Sequence, residues 1–186
     1  MNVGVLASGE GTNLQALLDS VHGYEVTITA VASDKPTAKA LARAEKAGVP
    51  TQVFRLKAHP DREARDTAIA DWLAEHDVEL VVLAGYMAIL TPAFLDRFPG
   101  RVINVHPSLL PAFPGLNAIQ QAIDAGVSTF GVTVHFVDEG VDTGPPILQG
   151  SIELDEPGTE DEVHALLQPI EHKLLADAVR QLAAEV

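Results

Sequence analysis

The sequence predicts an α/β fold, organised as one three-layer α/β/α domain around a mostly parallel, twisted sheet. Short apolar runs alternate with amphipathic helical patterns, which is typical of strand–helix–strand units in a parallel sheet. The 186 residues, of which 47% are hydrophobic, are enough for one continuous core. Neither an internal repeat nor a low-complexity linker interrupts the pattern, so we expect residues 1–186 to form a single domain.

Seven strands are predicted from apolar or β-branched runs that end at Gly, Pro or polar residues. The fourth run, Leu-Val-Val-Leu, is typical of a strand that is buried on both faces. The fifth strand is stopped by Pro107, and a loop over 138–146 separates the last two. The predicted strands are Asn2–Ala7, Glu25–Ala32, Thr51–Phe54, Glu79–Ala84, Arg101–Val105, Gly131–Val137 and Ile147–Leu154.

Helices are predicted between these strands from amphipathic spacing and from their terminal residues. Gly48 suits the left-handed position after a helix end, and Thr91 is expected to cap a short helix that begins at Pro92. Thr159 and Glu162 match a capping box at the start of the last helix. The other predicted helices are about Asn13–Ser20, Thr37–Ala47, Asp61–His76 and Asn117–Ala125.

Composition excludes several classes of protein. The chain has no cysteine, which rules out disulfides and thiolate metal sites and suits a cytoplasmic enzyme. Its net charge of −14 disfavours nucleic acid as a partner. We expect no membrane partner, because the apolar runs are shorter than the roughly 18 residues of a membrane span and the N-terminus lacks the basic segment of a signal peptide.

A glycine-rich turn, SGEGTN from Ser8, follows the first strand and precedes a helix. Free amide groups at such a helix start can bind a phosphate without a lysine. The turn matches neither the P-loop nor the complete dinucleotide pattern. Taken alone, it is equally consistent with a tight structural turn in which Thr12 or Asn13 caps the helix. Glu10 would oppose an anion unless its side chain pointed to solvent.

Asn104 and His106 occupy alternate positions at the end of the fifth strand, so both side chains project from the same face. Open α/β sheets place their active sites at the carboxyl ends of strands. A hydrogen-bonded structural pair is the alternative, because a buried amide and imidazole need partners. The stiff, proline-rich loop Pro107–Gly115 could hold backbone groups toward a ligand and favours the functional reading.

Asp142 lies in the acidic loop between the last two strands. From the residues alone it is more typical of a turn than of a catalytic group. The spacing of the loop fits no EF-hand, and the histidines form no metal-binding motif, so no metal site is expected. His135 shares a strand face with Thr133 and is expected to be a hydrogen-bonded inner residue; the other histidines are interpreted mostly as surface residues.

Four segments together resemble the phosphoribosylglycinamide formyltransferase family, from Val3 to about Leu175. They are SGEGTNLQAL from Ser8, VVLAGYMAIL from Val81, NVHPSLLPAFPG from Asn104 and GVTVHFVDEGVDTGPPILQ from Gly131. The last two are specific to folate formyltransferases and hydrolases, and the first favours members with a phosphorylated substrate. The resemblance implies the Rossmann-like formyltransferase fold, with a phosphate-binding half at about 1–100 and a folate-binding, catalytic half at about 101–186.

The resemblance implies transfer of the formyl group of 10-formyltetrahydrofolate to the amine of 5-phosphoribosylglycinamide (GAR) in purine biosynthesis, without a metal, by a cytoplasmic monomer or homodimer. It implies a catalytic set of Asn104, His106 and Asp142. The phosphate and ribose of GAR would contact Gly11, Thr12, Asn13, Gln168 and Glu171. The folate would contact Arg62 through its glutamate tail, and Leu83, Met87, Ala88, Ile89, Leu90, Leu95, Asn104, Val137, Asp138, Gly140 and Asp142. With the proline-rich loop, it also implies a cis peptide at Leu110–Pro111.

This catalytic set suits formyl transfer. Attack of the amine on the formyl carbon gives a tetrahedral oxyanion, to which the Asn104 amide and a protonated His106 can donate hydrogen bonds. A nearby Asp142 carboxylate favours the imidazolium, and it could relay a proton through water from the amine to N10 of the folate.

Two positions depart from the family pattern. Ala88 stands where some relatives carry Arg, which matters little if backbone groups bind the pterin. Pro169 is expected to kink or divide the last helix, and it could thereby shift Gln168 and Glu171.

Three other functions share parts of the pattern. Formyltetrahydrofolate hydrolase has the same three residues but carries an N-terminal regulatory domain, which is not expected here because Met1 directly opens the first strand. Methionyl-tRNA formyltransferase would need a basic C-terminal domain, for which the chain has neither the length nor the charge. A non-catalytic folate- or nucleotide-binding module would not need Asn104, His106 and Asp142 together.

Overall fold

The computed structural model describes residues 1–186, which form seven strands and six α-helices. The strands are β1 (Asn2–Leu6), β2 (Thr27–Ser33), β3 (Thr51–Val53), β4 (Leu80–Leu83), β5 (Val102–His106), β6 (Thr129–Phe136) and β7 (Pro146–Glu153). The helices are α1 (Thr12–Ser20), α2 (Lys39–Lys46), α3 (Arg62–Glu75), α4 (Pro92–Leu95), α5 (Ala118–Asp124) and α6 (Glu160–Ala184). Every predicted strand and helix is present, with small shifts at the ends.

All seven strands form one sheet in the order β3-β2-β1-β4-β5-β6-β7. The pairs from β3 to β5 are parallel, whereas β6 and β7 are antiparallel to their neighbours. The predicted α/β fold with a mostly parallel sheet is therefore confirmed. The chain builds the sheet outward from β1 in one direction and then, from β4, in the other. This switch opens a crevice beyond the carboxyl ends of β1 and β4, where ligands of open α/β sheets bind.

Helices cover both faces of the sheet, as the alternation of apolar residues in the strands requires. On one face, Val3 and Val5 pack with residues of α1, α2 and α6, including Leu175. On the other face, Leu6 packs with residues of α3 and α4, including Ile69. The result is the expected three-layer arrangement. None of the helices has the length and apolar character that crossing a bilayer requires.

The last helix differs from the expectation. α6 runs without interruption through Pro169, so the prediction that Pro169 divides it is wrong. Leu167 and Leu175, one on each side of the proline, are fully buried against the rest of the protein, and such packing stabilises a helix more than local propensity does. The predicted capping box is confirmed, since Thr159 and Glu162 exchange both hydrogen bonds.

Two local predictions concern proline segments. The Leu110–Pro111 peptide is cis, as expected. Thr91 precedes α4, but its side chain makes no capping hydrogen bond. Instead, both the amide and the hydroxyl of Thr91 donate to the buried carboxylate of Asp66, because a charged acceptor gives a stronger hydrogen bond than a neutral one.

Candidate active site

A cleft of about 510 Å³ opens beyond the carboxyl ends of β4 and β5. Four large apolar side chains that line it, Met87, Ile89, Leu116 and Val141, are between 52% and 78% exposed. Clustered apolar side chains on a protein surface usually mark a binding site. The cleft therefore suits a ligand with a large apolar surface.

Asn104, His106 and Asp142 all line this cleft. The antiparallel pairing of β5 with β6 places Asn104 opposite His135. The Asp142 carboxylate lies between two imidazoles, with Oδ2 3.4 Å from His106 Nδ1 and Oδ1 3.6 Å from His135 Nε2. The structure thus brings the three expected residues together and adds a second histidine to them.

Asp142 serves both as a turn residue and as the central carboxylate of the cluster. Its backbone is left-handed, with φ of 54°, and its Oδ2 accepts a hydrogen bond of 2.8 Å from the Gly115 amide. Burial raises the pKa of Asp142, but the hydrogen bonds from His135 and Gly115 and the charge of His106 outweigh it, so the pKa lies below its ordinary value. Asp142 is therefore a carboxylate at neutral pH.

Both ring nitrogens of the buried His106 have acceptors beside them. Nε2 donates to the Phe113 carbonyl at 2.9 Å, and Nδ1 faces the Asp142 carboxylate. An imidazolium can donate to both acceptors, whereas a neutral ring can donate to only one. Phe113 and Gly115 belong to the proline-rich loop, which therefore does present backbone groups to the cluster.

His135 is the member of this cluster that sequence reasoning missed. It is a hydrogen-bonded inner residue, as expected, but its partners are functional candidates. Nδ1 donates to the Phe136 carbonyl at 2.8 Å, and Nε2 lies 3.3 Å from Asn104 Nδ2. The polar residues Thr133 and His135 at alternate positions of a buried strand were the available signal. The register that sets His135 opposite Asn104 is not readable from that alternation.

Most of the expected folate contacts line the cleft, namely Leu83, Met87, Ala88, Ile89, Leu90, Asn104, Val137, Asp138, Gly140 and Asp142. Arg62 does not line it, although Arg62 Nη2 donates to the Ile89 carbonyl at 2.7 Å and so borders its rim. Leu95 is also outside the cleft. Leu95 is the last residue of α4, and it packs against the apolar cluster that contains Phe94 and Phe98.

The glycine-rich turn is preformed at the end of β1. Gly11 is the N-cap of α1, with φ of 77° and no side-chain capping bond, so neither of the two following residues caps the helix. A Cβ atom on Gly11 would lie 2.6 Å from Ala40 Cα, a distance that only glycine avoids. The Glu10 side chain is exposed and pairs with Lys39 at 3.0 Å. The expected conflict between Glu10 and an anion is thereby reduced.

Asn13 and Glu171 meet where α1 packs against α6, and Gln168 lies one turn earlier on α6. Asn13 Nδ2 lies 3.4 Å from Glu171 Oε2, while the buried Asn13 Oδ1 has no partner. Burial raises the pKa of Glu171 despite the opposing effects of His164 and Asn13. His164 lines the cleft and lies 3.8 Å from Glu171, so it stands between the cleft and this polar pair.

Residues 1–179 match the family described as formyl transferase. The chain is 42% identical over 180 residues to phosphoribosylglycinamide formyltransferase of Bacillus subtilis, covering 96% of this chain and 92% of that protein. It is 45% identical over 180 residues to the Mycobacterium tuberculosis H37Rv protein of the same name, covering 96% and 83%. The structure of glycinamide ribonucleotide transformylase 1 from Symbiobacterium toebii superimposes with a TM-score of 0.97 at 43% identity, covering 100% of this chain and 88% of that one.

Proposed function

Since the chain belongs to the formyl transferase family, we propose that it transfers the formyl group of 10-formyltetrahydrofolate to the amine of GAR, giving formyl-GAR and tetrahydrofolate. Family membership makes the chain a formyltransferase, and its similarity to proteins named phosphoribosylglycinamide formyltransferase supports GAR as the acceptor. The observation that carries the proposal is the meeting of Asn104, His106 and Asp142 in one apolar cleft.

The donor folate occupies the cleft in this proposal. Its pterin and benzoyl rings bury the exposed apolar rim, and the backbone of segments 87–90 and 138–142 hydrogen-bonds the pterin edge. Arg62 uses one of its five donor N–H groups on Ile89. The remaining donors face solvent at the rim, where they can bind the carboxylates of the glutamate tail.

The acceptor GAR occupies the neighbouring turn. The amides of Gly11, Thr12 and Asn13, at the positive end of α1, hold its phosphate. Gln168 and Glu171 bind the ribose hydroxyls, and the unpartnered Asn13 Oδ1 supports a ligand at this position. The half at about 1–100 thus contributes the phosphate turn, while the half at about 101–186 contributes the catalytic residues and α6.

The first step forms the new C–N bond. The GAR amine attacks the formyl carbon, and the carbonyl electrons move onto oxygen. Asn104 Nδ2 and His106 Nε2 donate hydrogen bonds to this oxyanion. His106 Nε2 donates to the Phe113 carbonyl in this structure, so in the proposed step this nitrogen exchanges the carbonyl for the oxyanion as its acceptor.

The second step breaks the bond between the formyl carbon and N10. The amine loses one proton and N10 gains one, so the reaction has no net proton change. The ionised Asp142 accepts the amine proton, directly or through water, and returns it to N10. The protonated His106 balances the charge of the oxyanion until the tetrahedral intermediate collapses. The proposed steps require no metal.

The same proposal places the enzyme in the cytoplasm, as a monomer or homodimer that acts on small molecules. The absence of cysteine is compatible with that compartment. The net charge of −14 disfavours nucleic acid.

The proposal is tested by measuring consumption of 10-formyltetrahydrofolate with and without GAR, followed by the absorbance of the deformylated folate. We expect consumption only when GAR is present. Consumption without GAR would identify a hydrolase, and no consumption under either condition would identify a binding module.

Replacement of His106 by Ala is expected to lower kcat by about 10²–10³-fold, the usual effect of losing one oxyanion donor. The KM values for both substrates should change little, because His106 acts on charge that develops only in the transition state. Steady-state kinetics checks this. Near-normal turnover of the variant would exclude the proposed oxyanion role.

Replacement of Gly11 by Ala is expected to raise the KM for GAR about tenfold or more, since a left-handed non-glycine residue costs roughly 1–2 kcal/mol and its Cβ would meet Ala40. The KM for the folate should be unchanged. Gly9→Ala is the matched control, because a Cβ at Gly9 meets nothing within 4 Å. Equal effects of the two variants would contradict a role for Gly11 in phosphate binding.

A further inference from the structure

We propose that Ser8 is a positioning residue that ties the donor-binding loop to the acceptor-binding turn, so that both substrate sites depend on one hydroxyl group. The inference rests on the proposed function, which assigns segment 87–90 to the folate and residues 11–13 to the GAR phosphate. Ser8 is the first residue of the glycine-rich turn, and it is 6% exposed.

The Ser8 side chain joins segments that follow three neighbouring strands, β2, β1 and β4. Ser8 Oγ donates to Asp34 Oδ1 at 2.6 Å and accepts from the Met87 amide at 2.9 Å. The Ser8 amide donates to the Gly85 carbonyl at 3.0 Å. Ser8 therefore contacts Met87 of the folate-binding segment and Gly85 shortly before it, and Ser8 is also the first residue of the turn that receives the phosphate.

The contacts of Ser8 lie at the carboxyl edge of the sheet, where the crevice opens. The backbone hydrogen bonds that pair β1 with β2 and β4 end at this edge. Met87 is 61% exposed and forms part of the apolar rim. Loss of the hydroxyl leaves the Met87 amide without this acceptor, and the rim segment without its tie to the turn.

Asp34 orients the hydroxyl. The short distance to a carboxylate oxygen is typical of a charge-assisted hydrogen bond, and it directs the hydroxyl hydrogen toward Asp34. A lone pair of Ser8 Oγ is then left for the Met87 amide. Ser8 is not among the residues that line the cleft, and its proton is engaged, so it acts through the two loops and not on the reacting atoms.

The test compares Ser8→Ala with Ser8→Thr, which retains the hydroxyl. We expect Ser8→Ala to raise the KM values for GAR and 10-formyltetrahydrofolate together, each by about tenfold, the effect of losing a hydrogen bond worth about 1.4 kcal/mol. The value of kcat should fall much less. Ser8→Thr should restore part of both KM values.

Ser33→Ala is the matched control, because Ser33 is also buried at a strand end but accepts only from the Lys35 amide. We expect it to change neither KM. If Ser8→Ala folds poorly, Asp34→Asn, which keeps the hydroxyl but weakens its orientation, should raise both KM values in the same direction.

The inference is overturned if Ser8→Ala lowers the melting temperature while leaving both KM values unchanged, or if only one KM rises. It is equally overturned if Asp34→Asn leaves both KM values as they are in the wild type. The wild type is assayed first. Acceptor-dependent transfer by the wild type with no joint effect of Ser8→Ala refutes the positioning role alone, whereas absence of that transfer refutes the proposed function.

Discussion

Replacement of Asp142 by Asn is expected to lower kcat by about 10²–10⁴-fold, the range for loss of a positioned acid–base group. The amide of Asn can still accept the hydrogen bond from the Gly115 amide, so the loop keeps its shape. It can neither take the amine proton nor act as the counterion of the protonated His106 in the proposed mechanism. Single-turnover kinetics with both substrates saturating measures this loss directly.

Glu139→Gln is the matched control for Asp142→Asn. It removes one negative charge from the same loop, but Glu139 is exposed and does not line the cleft. We expect its kcat to stay within about twofold of the wild type, since surface substitutions usually have small effects. If both variants lost activity equally, the effect would come from the charge of the loop and not from Asp142.

Replacement of Asp66 by Asn is expected to lower the free energy of unfolding by about 3–5 kcal/mol, the usual effect of breaking a buried ion pair. Asp66 is fully buried, and its Oδ1 accepts from Arg65 Nε and Nη2 at 3.0 and 2.9 Å. Its Oδ2 accepts from the amide and hydroxyl of Thr91 at 2.7 and 2.8 Å. Removing the charge leaves the Arg65 guanidinium buried without its counterion.

Equilibrium unfolding in urea measures this effect, with Asp71→Asn as the control on the same helix. Asp71 pairs with Arg97 at 2.7 Å, but the two side chains are 58% and 42% exposed. Exposed pairs contribute about 0–1 kcal/mol, so we expect a small change. If both variants lowered the free energy of unfolding equally, the burial of Asp66 would not determine how much its ion pair contributes to stability.

Asp66 also affects the cleft. Together with Arg62, which donates to Ile89, it ties α3 to the loop that carries the apolar rim. The Asp66→Asn molecules that remain folded should therefore bind the folate less tightly than the wild type. Weaker folate binding by folded molecules would show that α3 shapes the donor site, whereas unchanged binding would show that Asp66 affects only global stability.

The strands and helices could be predicted because each one carries a local signal. The unbroken apolar run of β4 and the capping box of α6 are examples, and both were found as expected. The effect of Pro169 could not be predicted in this way, because the packing of α6 on both sides of it decides the outcome. Local propensity describes a helix in isolation, whereas tertiary contacts decide whether it continues.

The candidate site was only partly visible in the sequence. Asn104 and His106 were paired by strand alternation, but Asp142 entered through the family resemblance. The place of His135 depends on the register between β5 and β6, and the Phe113 carbonyl reaches His106 through the conformation of the proline-rich loop. These contacts between distant segments depend on the whole fold, so they cannot be predicted from residue spacing.

The most direct test of formyl transfer at this cleft follows the fate of a ¹³C-labelled formyl group. The purified protein is incubated with ¹³C-formyl tetrahydrofolate and GAR, and the label is located by NMR. The proposed function predicts that the ¹³C signal moves to an amide on GAR in the wild type and stays on the folate in Asp142→Asn. Release of the label as formate, or transfer to GAR at an unchanged rate in the variant, would contradict it.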